Sequence, residues 1–132
     1  DKKAQWGVDQ VNGVVVVESL HGNGKAAVGE NIADLGGVVL GLEAFKKKEQ
    51  YKLGKPINGL TPTQRYFLGY ALGWLGHIRD ERLASQILTD VHAPAKLRVN
   101  GPFVHIPEFM EAFQVKEGMK MHRVDSLQVK IW

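Results

Sequence analysis

The chain has 132 residues, of which 44% are hydrophobic and 23% charged, an ordinary balance for one globular domain or part of one. Its formal charge of +3 is spread along the chain, and the only basic run, Lys46–Lys48, indicates a solvated helix end rather than a nucleic-acid-binding stripe. The absence of cysteine excludes disulfides and thiolate metal sites, and no apolar run approaches the roughly 20 residues that would predict a membrane-spanning segment.

The N-terminal residues 1–28 are predicted to be the least regular part of the chain. Four consecutive valines, Val14 to Val17, predict a short strand or a buried extended segment. The stretch HGNGKAAVG that follows contains three glycines and predicts a loop, because the spacing of its glycines and lysine fits no nucleotide-binding motif.

A long helix is predicted from Glu30 to about Glu49, because apolar residues recur there at helical spacing. These residues are Ile32, Leu35, Val38, Val39, Leu42 and Phe45. The helix also contains Gly36, Gly37 and Gly41, each of which costs about 0.5–1 kcal/mol relative to alanine. Their presence predicts that another segment packs very closely against this helix.

Three further helices are predicted downstream. Thr61 as N-cap, followed by a proline and by Gln64, predicts a helix start, and the apolar residues that follow cover most of the helix, which makes it central. A third helix is predicted from about Asp80 to Leu88, ending before a break in the stretch TDVHAPAKLRVNG. Pro107 begins a fourth helix, and an irregular tail follows it. The predicted fold class is therefore mainly α, with one short extended segment near the N-terminus.

Two carboxylates, Glu30 and Asp34, stand at i and i+4 and would share one helix face, where like charges repel by a few tenths of a kcal/mol. Two explanations are open. Acidic residues in the first turn of a helix interact favourably with its dipole. Alternatively, the two carboxylates belong to a cation site.

A second candidate group is His92, which follows Asp90 in a segment that also carries Pro94 and Arg98. A carboxylate beside a histidine can raise its pKa and fix the orientation of the ring, as a catalytic imidazole requires. The remaining histidines are predicted to lie on the surface; they are His21, His77, His105 and His122.

Several stretches in order resemble one family over about residues 20–132. They are GENIADLGG, LTPTQRYFLGYALGW, RDERLASQILTDVHAPAKLRVNGPF, EFMEAF and a terminal tryptophan. Together they resemble the C-terminal part of the neprilysin-like zinc metallopeptidases, the family of neprilysin, endothelin-converting enzyme and bacterial oligopeptidase O. The E-N-x-x-D block and the T-D-V-H-x-P block, with an arginine six residues after its histidine, are specific in combination. The implied architecture is the helical C-terminal lobe of a thermolysin-like catalytic domain.

The resemblance implies a zinc-dependent endopeptidase that hydrolyses oligopeptides, and it implies a role for each candidate residue. Glu30 resembles the third protein ligand of the catalytic zinc, and Asp34 the carboxylate that hydrogen-bonds a zinc-ligating histidine. His92 resembles the imidazole that hydrogen-bonds the oxyanion of the tetrahedral intermediate, with Asp90 as its orienting partner. Arg98 resembles the guanidinium that holds a main-chain carbonyl of the peptide substrate.

The family's H-E-x-x-H motif does not occur in these 132 residues. One interpretation is that residues 1–132 are the C-terminal fragment of one metallopeptidase catalytic domain, inactive alone, whose partner is an upstream part bearing H-E-x-x-H. The alternative is a pseudo-peptidase or a non-catalytic helical module that binds a partner. A start without methionine, in mid-domain, favours the fragment. The ending VKIW, where animal members often have C-x-x-W, suggests a bacterial member, periplasmic, lipid-anchored or secreted.

Overall fold

The computed structural model of the chain describes residues 2–17 and 20–131. This part of the chain is mainly helical, as predicted. Its α-helices are α1 (Lys2–Asn12), α2 (Gly24–Lys46), α3 (Glu49–Lys52), α4 (Pro62–Gly73), α5 (Asp80–Thr89), α6 (Ala95–Phe103) and α7 (Pro107–Ala112), and a 3-10 turn spans Asp125–Leu127. The predicted extended segment is strand β1 (Val15–Val17), which pairs antiparallel with the short strand β2 (Leu20–His21). No helix in the described ranges is both long enough and apolar enough to cross a membrane.

The expectation that residues 1–28 would be irregular is wrong for α1 and for the start of α2. Helix α1 buries Val8 and Val11 against the rest of the molecule. Helix α2 starts at Gly24, inside the stretch predicted to be a loop, because the Asn12 side chain accepts a hydrogen bond from the Gly24 N–H at 2.8 Å. Gly24 also lies against the backbone of Val8, so closely that a β-carbon would overlap it. Contacts with helix α1 thus determine where α2 starts.

Helix α2 ends at Lys46, three residues before the predicted end, where the Lys46 ammonium pairs with Glu43 and with Glu108 of α7 at 2.6 and 2.7 Å. The predicted close packing is found at Gly41. A β-carbon there would overlap the hydroxyl of Tyr66, which donates to the Val38 carbonyl at 2.7 Å. The helix that approaches α2 at this point is therefore α4.

The predicted start of α4 is confirmed, because the Thr61 and Gln64 side chains form a reciprocal capping box at 3.2 and 2.9 Å. The starts of α5 at Asp80 and of α7 at Pro107 are also confirmed. The predicted break after α5 is wrong from residue 95 onward, because Pro94 is the N-cap of helix α6. A proline is compatible with a helix start, since the first N–H groups have no partner inside the helix.

The main core joins α2, α4, α6 and α7 around the fully buried ring of Phe67. Phe103 and Phe109 pack edge-on against this ring, with centroids 5.0 and 5.3 Å away. A smaller buried cluster joins α1, α2 and the start of α6; it consists of Val11, Ala27, Ala93 and Leu97. This second cluster fixes the segment that carries His92 against α2.

The prediction that His105 lies on the surface is wrong. The residue is 6% exposed, its Nδ1 accepts from the Val129 N–H at 3.0 Å, and its Nε2 lies 2.8 Å from the Gln10 side-chain oxygen. Nε2–H is therefore the donor to Gln10. Burial, with a smaller contribution from Arg123, lowers the pKa of His105 to about 4. His21 and His77 are exposed as predicted, and His122 is half-buried.

Candidate active site

Glu30 and Asp34 lie one turn apart on α2, as predicted, but not at its start. The helix begins at Gly24, so both carboxylates lie beyond its first turn. The favourable effect of the helix dipole on acidic residues fades beyond that turn. First-turn acidity therefore does not explain the pair, and the reason for the two carboxylates lies in what each one contacts.

Asp34 forms a bidentate ion pair with Arg98 of α6. The Nε and Nη2 groups of Arg98 donate to the two oxygens of Asp34, at 2.6 and 2.7 Å. Both side chains are mostly buried, at 18% and 12% exposure. The hydrogen bonds that Arg98 donates to Asp34 outweigh the opposing effect of burial and raise the pKa of the guanidinium above its usual range. The two hydrogen bonds compensate part of the free-energy cost of burying these two charges.

Trp74, at the end of α4, covers one face of the same guanidinium. The central carbon of Arg98 lies 4.2 Å from the centre of the Trp74 rings, a cation–π contact. The Tyr70 hydroxyl donates to the Arg98 carbonyl at 3.4 Å. That carbonyl needs a partner, because the residue four positions later is Pro102, which has no N–H to donate.

His92 and Asp90 form the pair predicted from their spacing. The Asp90 carboxylate accepts from the His92 backbone N–H at 2.9 Å and lies 2.8 Å from ring atom Nδ1. These bonds, that of the backbone first, lower the pKa of Asp90. An ionised Asp90 can only accept, so Nδ1 carries a proton and the ring orientation is fixed.

The free edge of the His92 ring points to α2. Nε2 of His92 lies 3.5 Å from an oxygen of Glu30, and both side chains are about half exposed. The contact exists because Ala93, directly after His92, is buried against α1 and α2 in the smaller cluster. The candidate residues from two distant stretches of sequence, 30–34 and 90–98, therefore meet at one place.

A cleft of about 740 Å³ lies beside this group. Asp90, His92 and Arg98 line its polar side, whereas Glu30 is not part of its wall. The lining of the cleft also includes apolar side chains, those of Val14, Val16, Trp74, Leu75, Ile78 and Leu83. An extended chain with apolar side chains could lie in such a cleft with its polar backbone next to His92 and Arg98.

The described residues could supply part of a metal-binding site, but they do not form a complete one. Within residues 2–17 and 20–131, no group of three or more histidine, aspartate or glutamate side chains is arranged to hold a metal. Glu30 has a half-exposed carboxylate whose one ion-pair contact in this part of the chain is the 3.5 Å approach of His92. A catalytic zinc usually takes three protein ligands, so Glu30 could supply one of them.

Sequence reasoning assigned Trp74 no role, and the structure places it directly on a candidate site residue. Its position on an apolar helix indicated packing alone. Only the tertiary contact between the end of α4 and α6 brings its ring to Arg98. The one available signal for a role of Trp74 is weak: it is an aromatic residue at the end of a helix, where it and Leu75 lie between two glycines.

The comparisons with known proteins agree on a class of enzyme. The model of Peptidase family M13 matches residues 1–129. The chain is 38% identical to neprilysin-21 of Caenorhabditis elegans over 97% of its own length and 18% of that protein. It is also 38% identical to a neutral endopeptidase of Lactococcus lactis over 89% of its own length and 17% of that protein. The chain thus spans about a fifth of the curated relatives it matches.

Solved structures agree on the fold. The zinc metalloprotease ZMP1 of Mycobacterium tuberculosis, in its open state, is 27% identical and superposes with a TM-score of 0.87, over 99% of this chain and 21% of that chain. PepO of Lactobacillus rhamnosis is 31% identical with a TM-score of 0.82, over 100% of this chain and 19% of that chain. The fold and sequence are those of metallopeptidases. The chain belongs to peptidase family M13, and the predicted resemblance to neprilysin-like peptidases is confirmed.

Proposed function

We propose that this chain supplies one side of the active site of a zinc-dependent endopeptidase that hydrolyses oligopeptides. The observation that carries the proposal is the meeting of Glu30 with His92, and of Asp34 with Arg98, beside one cleft. Family membership supports peptidase chemistry, since relatives are named endopeptidases.

Zinc, when bound, supplies a Lewis acid that polarises the scissile carbonyl and lowers the pKa of water. In the proposal Glu30 is one direct ligand. Asp34 accepts a hydrogen bond from a ligating histidine outside this chain and so fixes its ring. The ion pair with Arg98 leaves room for this, because a carboxylate has about four acceptor positions and Arg98 occupies two.

His92 is proposed to donate a hydrogen bond to the substrate carbonyl oxygen as negative charge develops on it. Asp90 already holds Nδ1–H, so the donor must be Nε2. Nε2 carries a proton as well only when the ring is an imidazolium, so this role requires the doubly protonated ring. A donor held in place before the reaction stabilises the oxyanion without reorganisation.

Arg98 is proposed to hold a main-chain carbonyl of the substrate. Nε and Nη2 are bonded to Asp34, whereas Nη1 has no hydrogen-bond partner among the described residues. A guanidinium with one edge fixed and one nitrogen available can bind a carbonyl oxygen in a defined direction. Its place in the wall of the cleft supports this role.

The remaining zinc ligands and the catalytic glutamate are proposed to come from an upstream H-E-x-x-H segment of the same protein. The face of α2 beside Glu30 supports a close neighbour. A β-carbon at Gly29 or Gly37 would meet nothing within 4 Å, and Leu40 is exposed there. For the intact protein we propose a bacterial source and a periplasmic, lipid-anchored or secreted location.

The test uses the full-length protein that contains this chain. Zinc content by atomic absorption and hydrolysis of a fluorogenic oligopeptide are measured for the wild type, for Glu30→Ala and for the control Glu111→Ala, which removes an exposed carboxylate of α7. We expect Glu30→Ala to lose zinc and activity together and Glu111→Ala to keep both. Full zinc and activity in Glu30→Ala would refute the ligand assignment. A wild type without zinc or hydrolysis would favour the non-catalytic partner-binding alternative.

A further inference from the structure

We propose that Trp74 is a positioning residue for peptide binding, because its indole face holds the Arg98 guanidinium in the plane in which Nη1 meets the substrate carbonyl. The inference rests on the proposed function of Arg98. It assigns to Trp74 a role that acts through Arg98 and is separate from lining the cleft wall.

The ion pair with Asp34 does not by itself fix the guanidinium. Its two hydrogen bonds restrain one edge of the planar group, but they still allow the group to tilt about the line that joins the two Asp34 oxygens. A tilt would swing Nη1 away from any fixed direction. The Trp74 rings, 4.2 Å from the central carbon of Arg98, block this tilt on one side and attract the cation electrostatically.

Trp74 is itself well placed to act as a rigid support. It is the C-cap of α4, and its backbone N–H bonds to the Ala71 carbonyl at 3.1 Å. Its ring lies 6.3 Å from the ring of Tyr70, whose hydroxyl reaches the Arg98 backbone carbonyl. Tyr70 also packs on Phe103 in the main core, with centroids 5.7 Å apart. Helix α4 therefore contacts Arg98 at both its side chain and its backbone.

A support of this kind should act mainly on KM. The substrate carbonyl contacts Arg98 both before and during the reaction, so a badly oriented guanidinium weakens binding in both states. A cation–π contact at a partly exposed site corresponds to about a three- to tenfold effect on affinity. The change in kcat should stay within about twofold.

The test is a double-mutant cycle in the full-length peptidase. Trp74→Leu, Arg98→Met and the double variant are compared by KM and kcat for one peptide, and by calorimetric affinity for an uncleavable analogue of it. We expect Trp74→Leu to raise KM about three- to tenfold in the wild type and to have a much smaller effect in Arg98→Met, where only the direct contact of Trp74 with the cleft is lost. Trp74→Phe keeps a smaller aromatic face and should lie between the wild type and Trp74→Leu.

Leu75→Ala is the matched control, since Leu75 is the next residue, lines the same cleft and is 80% exposed. Any effect of Leu75→Ala should multiply with that of Arg98→Met, as expected for a residue that contacts substrate independently. Multiplying effects of Trp74→Leu and Arg98→Met would overturn the inference and leave Arg98 as assigned. An unchanged KM in Arg98→Met would instead overturn the proposed role of Arg98, and the inference with it.

Discussion

Arg98 and His92 line the same cleft, but their side chains differ in burial and in the contacts that orient them. Arg98 is mostly buried and paired on one edge, so it has a defined direction before any ligand arrives. His92 is fixed through Asp90 but about half exposed, with its free nitrogen facing Glu30. These environments lead to different expectations for kinetics when each residue is replaced.

Replacing Arg98 by methionine should mainly raise KM, because in its proposed role the guanidinium contacts the substrate in the ground state and in the transition state alike. Arg98→Lys should rescue binding poorly, since one ammonium cannot bond both Asp34 oxygens and a carbonyl in the same plane. Steady-state kinetics of the full-length peptidase decide this. An unchanged KM in the methionine variant would mean that Arg98 is only the ion-pair partner of Asp34.

Replacing His92 by glutamine should lower kcat by a factor of about 10²–10³ and change KM much less, because the donor is needed only when the oxyanion forms. Asp90→Asn should lower kcat less, since it weakens the orientation of the ring but keeps the donor. Single-turnover rates of the two variants measure the difference. A fully active His92→Gln enzyme would exclude the oxyanion role.

Gly37 and Gly41 lie one turn apart on helix α2, and they differ in how closely another segment approaches them. At Gly41 the Tyr66 hydroxyl fills the space where a β-carbon would lie, whereas at Gly37 that space is open. Both glycines weaken the helix by about 0.5–1 kcal/mol relative to alanine. Of these two glycines, Gly41 is the one for which a neighbour among the described residues explains the absence of a side chain.

Gly41→Ala should therefore lower the free energy of unfolding of this chain by about 1 kcal/mol or more. The new methyl group displaces Tyr66 and breaks its bond to the Val38 carbonyl, which outweighs the gain in helix propensity. Gly37→Ala is the matched control and should raise the free energy of unfolding by about 0.5–1 kcal/mol. Urea unfolding of the two variants measures both signs, and equal signs would contradict the assignment of Tyr66 as the close neighbour.

The helices that sequence predicted well are those whose ends are fixed locally. Thr61 and Gln64 cap α4 from within its first turn, so the start is visible in the sequence. The start of α2 was missed because its first N–H bonds to Asn12, a residue of another helix. Helix α6 was missed because Pro94 and Gly101 normally indicate breaks, whereas here they occupy its cap and its last turn.

The candidate residues were singled out by their spacing and given roles by the family resemblance, but most of their geometry was not predictable. Helical spacing placed Glu30 and Asp34 on one face, and a two-residue spacing paired Asp90 with His92. Nothing local indicates that Asp34 pairs with Arg98 or that Trp74 covers that guanidinium, because these contacts depend on how α2, α4 and α6 pack. Sequence spacing shows which residues share a helix face, but only the tertiary structure shows which residue each of them contacts.

At the scale of the whole molecule, His105 links α1, the segment after α6 and the residues near Val129. It does so as a neutral imidazole that both accepts and donates. The pKa of about 4 lies below the usual value near 6.5, so the unfolded chain binds the proton more tightly than the folded chain between these two pH values. The contribution of His105 to stability is full above pH 6.5 and is lost as the pH falls toward 4.

The free energy of unfolding should thus fall by about 3 kcal/mol on account of His105 between pH 6.5 and 4. Urea unfolding at several pH values measures the slope. His105→Gln should be less stable at pH 7 but should show a flatter slope, whereas the control His77→Gln, at an exposed histidine, should keep the wild-type slope. A wild-type slope in His105→Gln would assign the acid sensitivity to other groups.

The chain alone should bind zinc weakly and show no peptidase activity, because its described residues hold no complete metal site and Glu30 is the one direct ligand proposed among them. Addition of the upstream segment, covalently or as a second chain, should restore both zinc binding and activity. Calorimetric titration of zinc into the two forms measures the difference. Tight, stoichiometric zinc binding by residues 1–132 alone would refute the incomplete-site interpretation.

The ion pair between Asp34 and Arg98 also bears on the order of folding events, since it joins residues 64 positions apart. Helices form locally and within about a microsecond, whereas a contact across so long a loop requires α2 and α6 to dock first. Pairing of the guanidinium therefore reports that α2 and α6 have docked, which helix content alone does not. Far-UV circular dichroism measures helix content, whereas a probe at Trp74 would measure the docking.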